Sequence, residues 1–366
     1  MDALRVGVIG CGNISDLYFE GGKRFHDIDI TLCADLLPEA ARDKAKQHGI
    51  PMAASPRALL ENDAIDIVLN LTVPKAHAAV ALDALDHGKH IYNEKPLTLT
   101  RAEGIALLRK AKEKQLRVGC APDTMLGAAP QTARRLIDEG AIGTPVSATA
   151  FFQCHGHEHW HPDPAFFYER GGGPLFDMGP YYLTVLVSLL GPAVTVSAQT
   201  KTTFKERIQT VGNDSGRRIA VETPTHITGN IAFENGAVVT VIMSFDVWHS
   251  SLPHLEIHGT TGSLSLPDPN TFGGVVKRFQ PEKDDWQPAA CTHAYADQSR
   301  GLGLADMAAA IRSGRPHRAD GALAYHVLDI MQAFLESGER HEPIALESTC
   351  ERPAPMPAGL SDGCVE

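Results

Sequence analysis

The sequence predicts two successive units: a doubly wound parallel sheet of the α/β class, then a β-rich domain. Three observations carry that expectation. An apolar run from Leu4 to Ile9 breaks at Gly10-Cys11-Gly12 and gives way to helical spacing through Leu17 and Phe19. Apolar strands and amphipathic helices then alternate as far as Cys120. Beyond residue 145 the apolar stretches are separated by Gly and Pro turns, a β-rich pattern. A chain of 366 residues is too long for one comfortable core, and the change of pattern divides it into residues 1–122 and 123–366.

The first unit reads as a Rossmann domain. Gly10-Cys11-Gly12-Asn13-Ile14-Ser15 has the spacing G-x-G-x-x-S between a strand and a helix. Gly10 permits the turn, Gly12 lets backbone approach a pyrophosphate, and small Ser15 permits close helix-to-strand packing. Gly10, Gly12, Asn13 and Ile14 are therefore candidate cofactor-binding residues, with the free N–H groups of the following helix facing the phosphates. A second strand, Ile28 to Ala34, ends at Asp35, roughly 20 residues after the turn. A carboxylate there accepts hydrogen bonds from an adenosine ribose and repels a 2′-phosphate. Leu36-Leu37-Pro38 supplies no arginine to welcome that phosphate, which favours NAD over NADP. A simple helix cap is the competing role for Asp35.

The alternation continues through a helix over 38–48, a strand near Met52, a helix from Ser55, a strand Ile65 to Leu71, a helix Ala78 to His87 and a strand His90 to Tyr92. Ligands of doubly wound sheets bind at the carboxyl ends of strands. Two segments fall there: Thr72-Val73-Pro74-Lys75-Ala76-His77 and Asn93-Glu94-Lys95-Pro96. Thr72, Pro74, His77, Glu94 and Lys95 join the cofactor candidates, with a helix-capping role equally open for His77. In the second unit, Val146–Phe152, Val194–Thr200, Ile227–Phe233 and Ala237–Ser244 read as strands, and Asn235-Gly236 is a hairpin signal. Helices are expected over 303–313 and 319–337, packing back onto the body of the protein.

Composition excludes several classes. A net charge of −11 repels phosphate backbones and anionic lipid, so neither nucleic acid nor membrane is an expected partner. The N-terminal stretch has no cationic segment followed by an apolar core and cleavage site, and no stretch approaches the ~20 unbroken apolar residues of a membrane span. Seven scattered cysteines without a C-x-x-C pair read as reduced thiols. A cytoplasmic location is the expectation.

Taken with the glycine turn, the segments Thr72–His77 and Gly88–Leu97 resemble the glucose-fructose oxidoreductase / inositol dehydrogenase (Gfo/Idh/MocA) family. The resemblance continues through Gly140–Pro145, through Gly171-Gly172-Gly173 with Asp177 and Gly179, and through Ile257–Leu264, so it covers residues 4 to about 346. It implies an oxidoreductase that transfers a hydride between NAD and a hydroxyl-bearing carbon of a sugar, glycoside or polyol. It also implies that the second unit is an α+β domain with a large, mainly antiparallel open sheet, and that homo-oligomers, dimer or tetramer, form through that sheet.

Such chemistry needs a group to take the hydroxyl proton and donors to steady the developing alkoxide. By resemblance, Lys95 points at the reacting oxygen and Asp177 orients substrate. Relatives commonly carry a histidine one helical turn after this acid, where this chain has Tyr181. A phenol starts near pKa ~10 and needs a neighbouring cation to act as a base, so the expected catalytic set is Lys95 and Tyr181 as a proton relay, with Asp177 holding substrate. Core packing is the alternative role for Tyr181. Asp123 follows the last strand of the first unit, where relatives often show asparagine, and is a candidate substrate contact.

The run Cys154-His155-Gly156-His157-Glu158-His159-Trp160-His161-Pro162 carries metal-ligand residue types. Its aromatic neighbours Phe166, Phe167 and Tyr168 read instead as a carbohydrate-pocket rim, with Trp160 and His161 as substrate contacts and no metal expected. Three other functions stay open at this level: a sugar-ketone reductase, a glycosidase with tightly held NAD, and an NAD-binding regulatory protein without turnover.

Overall fold

In the computed structural model, which describes residues 3–366, the first unit is a six-stranded parallel sheet. Its strands are β1 (Leu4–Ile9), β2 (Ile28–Ala34), β3 (Met52–Ala54), β4 (Ile67–Asn70), β5 (His90–Asn93) and β6 (Val118–Cys120), in the order β3-β2-β1-β4-β5-β6. Helices α1 (Ser15–Gly22), α2 (Pro38–His48), α3 (Pro56–Leu60), α4 (His77–Asp86) and α5 (Arg101–Lys114) connect them. β4 is buried throughout, as its unbroken Ile67-Val68-Leu69 run requires of a central parallel strand covered on both faces. Local signals fix the helix starts. Ser55 accepts from the Ala58 N–H ahead of α3, and Thr100 and Glu103 form a reciprocal capping box on α5.

The second unit opens with α6 (Ala128–Asp138), which sequence periodicity did not single out. It continues as β7 (Pro145–Gln153), α7 (Gly173–Asp177), α8 (Gly179–Leu190), β8 (Ala193–Lys201), the short pair β9 (Glu206–Ile208) and β10 (Arg218–Ala220), and then β11 (His226–Phe233) and β12 (Val238–Ser244). Next come β13 (Leu255–Gly259), β14 (Ser263–Leu266), β15 (Lys277–Gln280), β16 (Asp285–Pro288), α9 (Leu302–Ser313), α10 (Gly321–Arg340) and β17 (Ile344–Ala345). Nine strands form one open sheet, β16-β15-β14-β13-β7-β12-β11-β8-β17, antiparallel at every step except β7 against β12. The Asn235-Gly236 turn joins β11 to β12 with Gly236 at φ 88°.

α8 is apolar on every side, and a helix without a polar face has to be buried all round; each of its residues is. It lies inside one continuous apolar cluster. That cluster runs from Val6, Val8, Leu69 and Tyr92 of the first sheet, through Leu302, Ala305 and Met307 of α9, to Val239, Val241 and Ile257 of the second. Burying each large side chain of this kind stabilises the fold by about 2 kcal/mol relative to water, so the two units are bound together by their core. A separate small cluster, Phe167, Tyr168, Ile219 and Phe245, holds the 154–172 loop against β10.

The last residues, featureless in sequence, lace both units. Arg134 of α6 donates to the Pro353 carbonyl, the Met356 N–H donates to Gln131, and Arg24 of the first unit pairs with Asp362. The seven cysteines are all free thiols. Among the described residues no helix is long and apolar enough to cross a membrane.

Asp123 corrects a sequence expectation. Its carboxylate is buried and accepts the N–H groups of Gly301 and Gly303 at 3.0 Å each, closing the start of α9 instead of facing a ligand cavity. Position beside a strand end suggested a ligand contact, but α9 covers it. Burial raises its carboxyl from 3.8 to about 6, against the lowering effect of those N–H groups and Arg300. The neutral form is thus favoured by folding, and its stabilising contribution, complete below the unfolded pKa, is lost as pH rises through about 6. Asp123→Asn is expected to gain up to about 3 kcal/mol relative to wild type between about pH 4 and about pH 7, read from urea unfolding. A difference that stays flat with pH contradicts the buried carboxyl.

Candidate active site

The carboxyl ends of β1, β2, β4 and β5 build one side of the site. Gly10 turns the chain at φ 104°, and a Cβ there would lie 2.6 Å from the Leu71 backbone, so the loop closes beside β4 only with glycine. Gly12 is different: it is exposed, with nothing within 4 Å of where a Cβ would stand, leaving its backbone open to a ligand. Asn13 is exposed beside it and Ile14 half-buried. Asp35 accepts the Cys11 N–H (2.8 Å) and the Leu37 N–H (2.9 Å), which fixes its carboxylate at the tip of β2 next to the glycine turn. Leu36 and Leu37 stand exposed beyond it. A dinucleotide fits this set: an open glycine backbone for the pyrophosphate, and a fixed acid with lone pairs left for a ribose.

Thr72 donates to Asn70 Oδ1 (2.7 Å), and Pro74 begins a short 3₁₀ turn. His77 is fully buried, its Nδ1 2.6 Å from the Pro96 carbonyl and its Nε2 3.0 Å from that of Thr72. Burial pushes its pKa down. The ring lies between the two ligand-facing loops, buried away from a ligand and without capping its own helix, so neither of its two expected roles describes it. Glu94 is also buried, accepting from the Tyr18 hydroxyl (2.7 Å) and the Lys95 N–H (2.8 Å).

Lys95 reaches out of this frame to the second unit. Its ammonium donates to Asp177 Oδ1 (2.9 Å) and to the Asp177 main-chain carbonyl (2.6 Å) at the end of α7. Burial alone would lower the lysine and raise the acid. The pairing outweighs it in both: Lys95 is held above its usual pKa, and Asp177 is brought down to about 2 by Lys95 and His157. His157 Nε2 lies 3.2 Å from the other carboxylate oxygen, Oδ2.

Two cavities meet at this pair. One, of about 370 Å³, lies between Val73, Pro74 and Pro96 on the first unit and Phe166, Arg170 and Phe176 on the second. The other, of about 660 Å³, is walled by Tyr181, His155, His157, Trp160, Trp248, Asn270 and Arg300. Trp160 is 57% and Trp248 82% exposed, and Trp248 stacks on His155 with ring centroids 3.5 Å apart.

The expected Lys95–Tyr181 relay takes a different form. Lys95 sits over the face of the Tyr181 ring, 5.2 Å from its centroid, while the phenol oxygen lies 3.3 Å from an Arg300 nitrogen. Burial raises the phenol, and the two cations only partly offset it. His161 also differs from expectation: its Nδ1 accepts the Asp163 N–H (3.1 Å), shaping the Pro162-Asp163 turn, and it lies outside the walls of both cavities. β7 stops at Gln153 and the chain beyond it turns, so the four alternating histidines do not form a strand face: His155, His157 and His159 line the larger cavity and His161 does not. Among the described residues no three His, Cys, Asp or Glu side chains converge as a metal cluster.

Sequence reasoning missed His157, Trp248, Asn270 and Arg300. His157 was one of four alternating histidines with nothing to single it out; the others arrive from distant loops without a motif.

Two family models match the chain: "Oxidoreductase family, NAD-binding Rossmann fold" over residues 4–121, and "GFO/IDH/MocA C-terminal domain" over residues 131–265. The dTDP-3,4-didehydro-2,6-dideoxy-α-D-glucose 3-reductase of Streptomyces violaceoruber is 30% identical over 72% of each chain. Levoglucosan dehydrogenase of Pseudarthrobacter phenanthrenivorans is 28% identical over 63% of each chain, a little under two thirds of that relative's length. The scyllo-inositol 2-dehydrogenase (NAD(+)) of Bacillus subtilis is 28% identical over 52% of this chain and 55% of its own. Among solved structures, levoglucosan dehydrogenase in complex with NADH and L-sorbose superposes with a TM-score of 0.82 at 23% identity, covering 94% of this chain and 99% of that one. An aldose-aldose oxidoreductase from Caulobacter crescentus gives 0.79 at 19%, covering 94% and 100%. These two likenesses speak for the fold. Carrying both of its domain signatures in order, the chain belongs to the Gfo/Idh/MocA family of NAD-binding oxidoreductases.

Proposed function

We propose that the protein moves a hydride between NAD and a hydroxyl-bearing carbon of a sugar, glycoside or polyol. The observation that carries this reading is the Lys95–Asp177 pair at the junction of the two cavities, one reaching the strand ends of the nucleotide-binding unit and the other rimmed by aromatic and imidazole rings. Bound NAD supplies the acceptor for the hydride. Lys95, kept cationic by Asp177, stabilises alkoxide character on the reacting oxygen, and Asp177 takes a hydrogen bond from substrate. Tyr181, its oxygen next to Arg300, is suited to hydrogen-bonding a neighbouring hydroxyl and ill suited to base duty while burial raises it.

Trp160 and Trp248 offer apolar faces for sugar rings, and the larger cavity has room for more than one ring. Relatives that act on levoglucosan, D-xylose and scyllo-inositol by their names support the substrate class. The exposed face of the nine-stranded sheet is the proposed surface for a homo-oligomer. The free thiols suit the proposed cytoplasmic location.

Absorbance at 340 nm with NAD and a panel of sugars, glycosides and inositols tests the reading; absence of NADH with every substrate, despite NAD binding, refutes oxidation. Lys95→Met is expected to lower kcat by about 10²- to 10⁴-fold with NAD affinity within a few-fold of wild type, and an unchanged kcat removes Lys95 from the chemistry. Asp35→Ser is expected to narrow the preference for NAD over NADP, seen in the ratio of their dissociation constants. Trp248→Ala is expected to raise KM by roughly 2- to 10-fold for aryl glycosides and disaccharides while leaving monosaccharides unaffected; equal effects on both contradict an outer ring-binding position.

A further inference from the structure

Four arginines are buried among the described residues, and three of them are paired with carboxylates: Arg134 with Asp138, Arg207 with Glu158 and Asp246, and Arg318 with Asp306. Arg300, only 9% exposed, is the fourth. Its guanidinium meets neutral oxygens alone: the Tyr181 hydroxyl (3.3 Å) and the side-chain amides of Asn270 (3.2 Å) and Gln298 (3.1 Å). It nevertheless stands in the wall of the larger cavity. We propose that Arg300 recognises a carboxylate on the substrate, so that the protein acts on a sugar acid, an aldonate or a uronate. The inference narrows the dehydrogenase reading above and rests on it.

A guanidinium keeps its proton inside a protein, so this charge is not shed on burial. A buried cation without a counter-charge is costly, and such groups are ordinarily paired. The acids that feel Arg300 through space are engaged elsewhere. Glu94 accepts the Tyr18 hydroxyl and the Lys95 N–H, and Asp123 closes the start of α9. Asp268, in the same cavity wall, accepts from the Tyr182 hydroxyl (3.3 Å) and the Asn270 N–H (3.0 Å) and forms no ion pair with Arg300. A guanidinium carries five N–H groups, more than its neutral acceptors use. An anion entering the cleft supplies both the acceptor and the counter-charge.

The wall selects a single negative charge. Lys95 is already balanced by Asp177, which leaves Arg300 as the unmatched cation among the lysines and arginines lining this cavity. The carboxylates of Asp177 and Asp268 repel anything more highly charged. A carboxylate brings one charge and a planar pair of oxygens that suits a guanidinium, whereas a phosphate monoester brings about 1.5 to 2 charges near neutral pH. Tyr181 separates the two cations, its ring face towards Lys95 and its oxygen towards Arg300. The carboxylate is therefore held apart from the hydroxyl that meets Lys95, and Arg300 selects the substrate without joining in the hydride step.

Calorimetry on the protein with NADH bound compares D-gluconate and D-glucuronate with D-glucose and D-glucose 6-phosphate. At least one of the two acids is expected to bind about 10- to 100-fold more tightly than D-glucose, the worth of a charged hydrogen bond, and more tightly than the phosphate. Equal affinity for acid and glucose, or a preference for the phosphate, overturns the proposal. Arg300→Gln is expected to bring the acid-to-glucose ratio close to one, with NADH affinity reporting that the fold is kept. An equal loss of both ligands makes Arg300 a mere prop for Tyr181 and Asn270 and sinks the assignment. Asp268→Asn gives an independent reading that spares the arginine: loss of the neighbouring negative charge is expected to tighten the acid by about 2- to 10-fold, and an unchanged acid affinity places the carboxylate elsewhere. In turnover with NAD, Arg300→Gln is expected to raise KM for the acid by about 10- to 100-fold and to lower kcat far less; a loss confined to kcat contradicts a recognition role. A wild-type protein that prefers the acid in calorimetry yet makes no NADH from any substrate brings down the dehydrogenase reading while the carboxylate site stands.

Discussion

The contact between Lys95 and Asp177 is the constraint on which the rest of the site depends. It joins the tip of a parallel strand to the end of a short helix in the other unit, with side chains only 17% and 15% exposed. Removing both charges from water is expensive, and the attraction between them repays that cost only when geometry is tight and the remaining polar atoms are satisfied. Both conditions are met. The ammonium has a second acceptor in the Asp177 carbonyl, and the second carboxylate oxygen has the His157 ring. What keeps the two units at hydrogen-bonding distance is the apolar cluster they share, with α8 at its centre. In a molecule of two loosely tethered halves, such a pair would open to solvent and lose most of its strength.

Around this pair the polar groups divide by the charge they tolerate. Lys95 and Arg300 are cations that burial fails to neutralise, because carboxylates and phenol oxygens face them. Both stand in the wall of the larger cavity. Tyr181 touches both, one through its ring face and the other through its hydroxyl, and it is the spacer that separates two like charges across the cleft. Like charges held apart by a polarisable ring cost less than the same charges side by side.

Much of the first unit was legible because its signals are local. Glycines, a fixed acid and short apolar runs obey backbone geometry within a few residues, and β1 to β6 fall close to where periodicity put them. The strands of the second sheet and their Asn235-Gly236 hairpin were legible for the same reason. Lys95 and Asp177 were found through the motifs that surround them. What failed was anything decided by distant packing. Asp123 looked ligand-facing until Gly301 and Gly303, far along the chain at the start of α9, supplied its two donors. His161 sat next to a Pro-Asp-Pro turn and belonged to that turn. His157 is set apart from its neighbours only by the direction in which an irregular loop leaves β7, which no period describes. The closing segment looked uninformative because its contacts are main-chain carbonyls and isolated side chains, which leave no pattern.

The small cluster of Phe167, Tyr168, Ile219 and Phe245 has an evolutionary consequence. It anchors the 154–172 loop on its own apolar patch, apart from the large core that fixes the strand ends and α8. Apart from His157, which meets Asp177, replacements along that loop therefore alter the shape and polarity of the cleft while leaving the contact between Lys95 and Asp177 in place. Such an arrangement separates two kinds of constraint: one part of the molecule fixes the buried ion pair while another shapes the wall of the cleft. A cleft of this build can change its lining by altering one wall, with no need to rebuild the foundation beneath it.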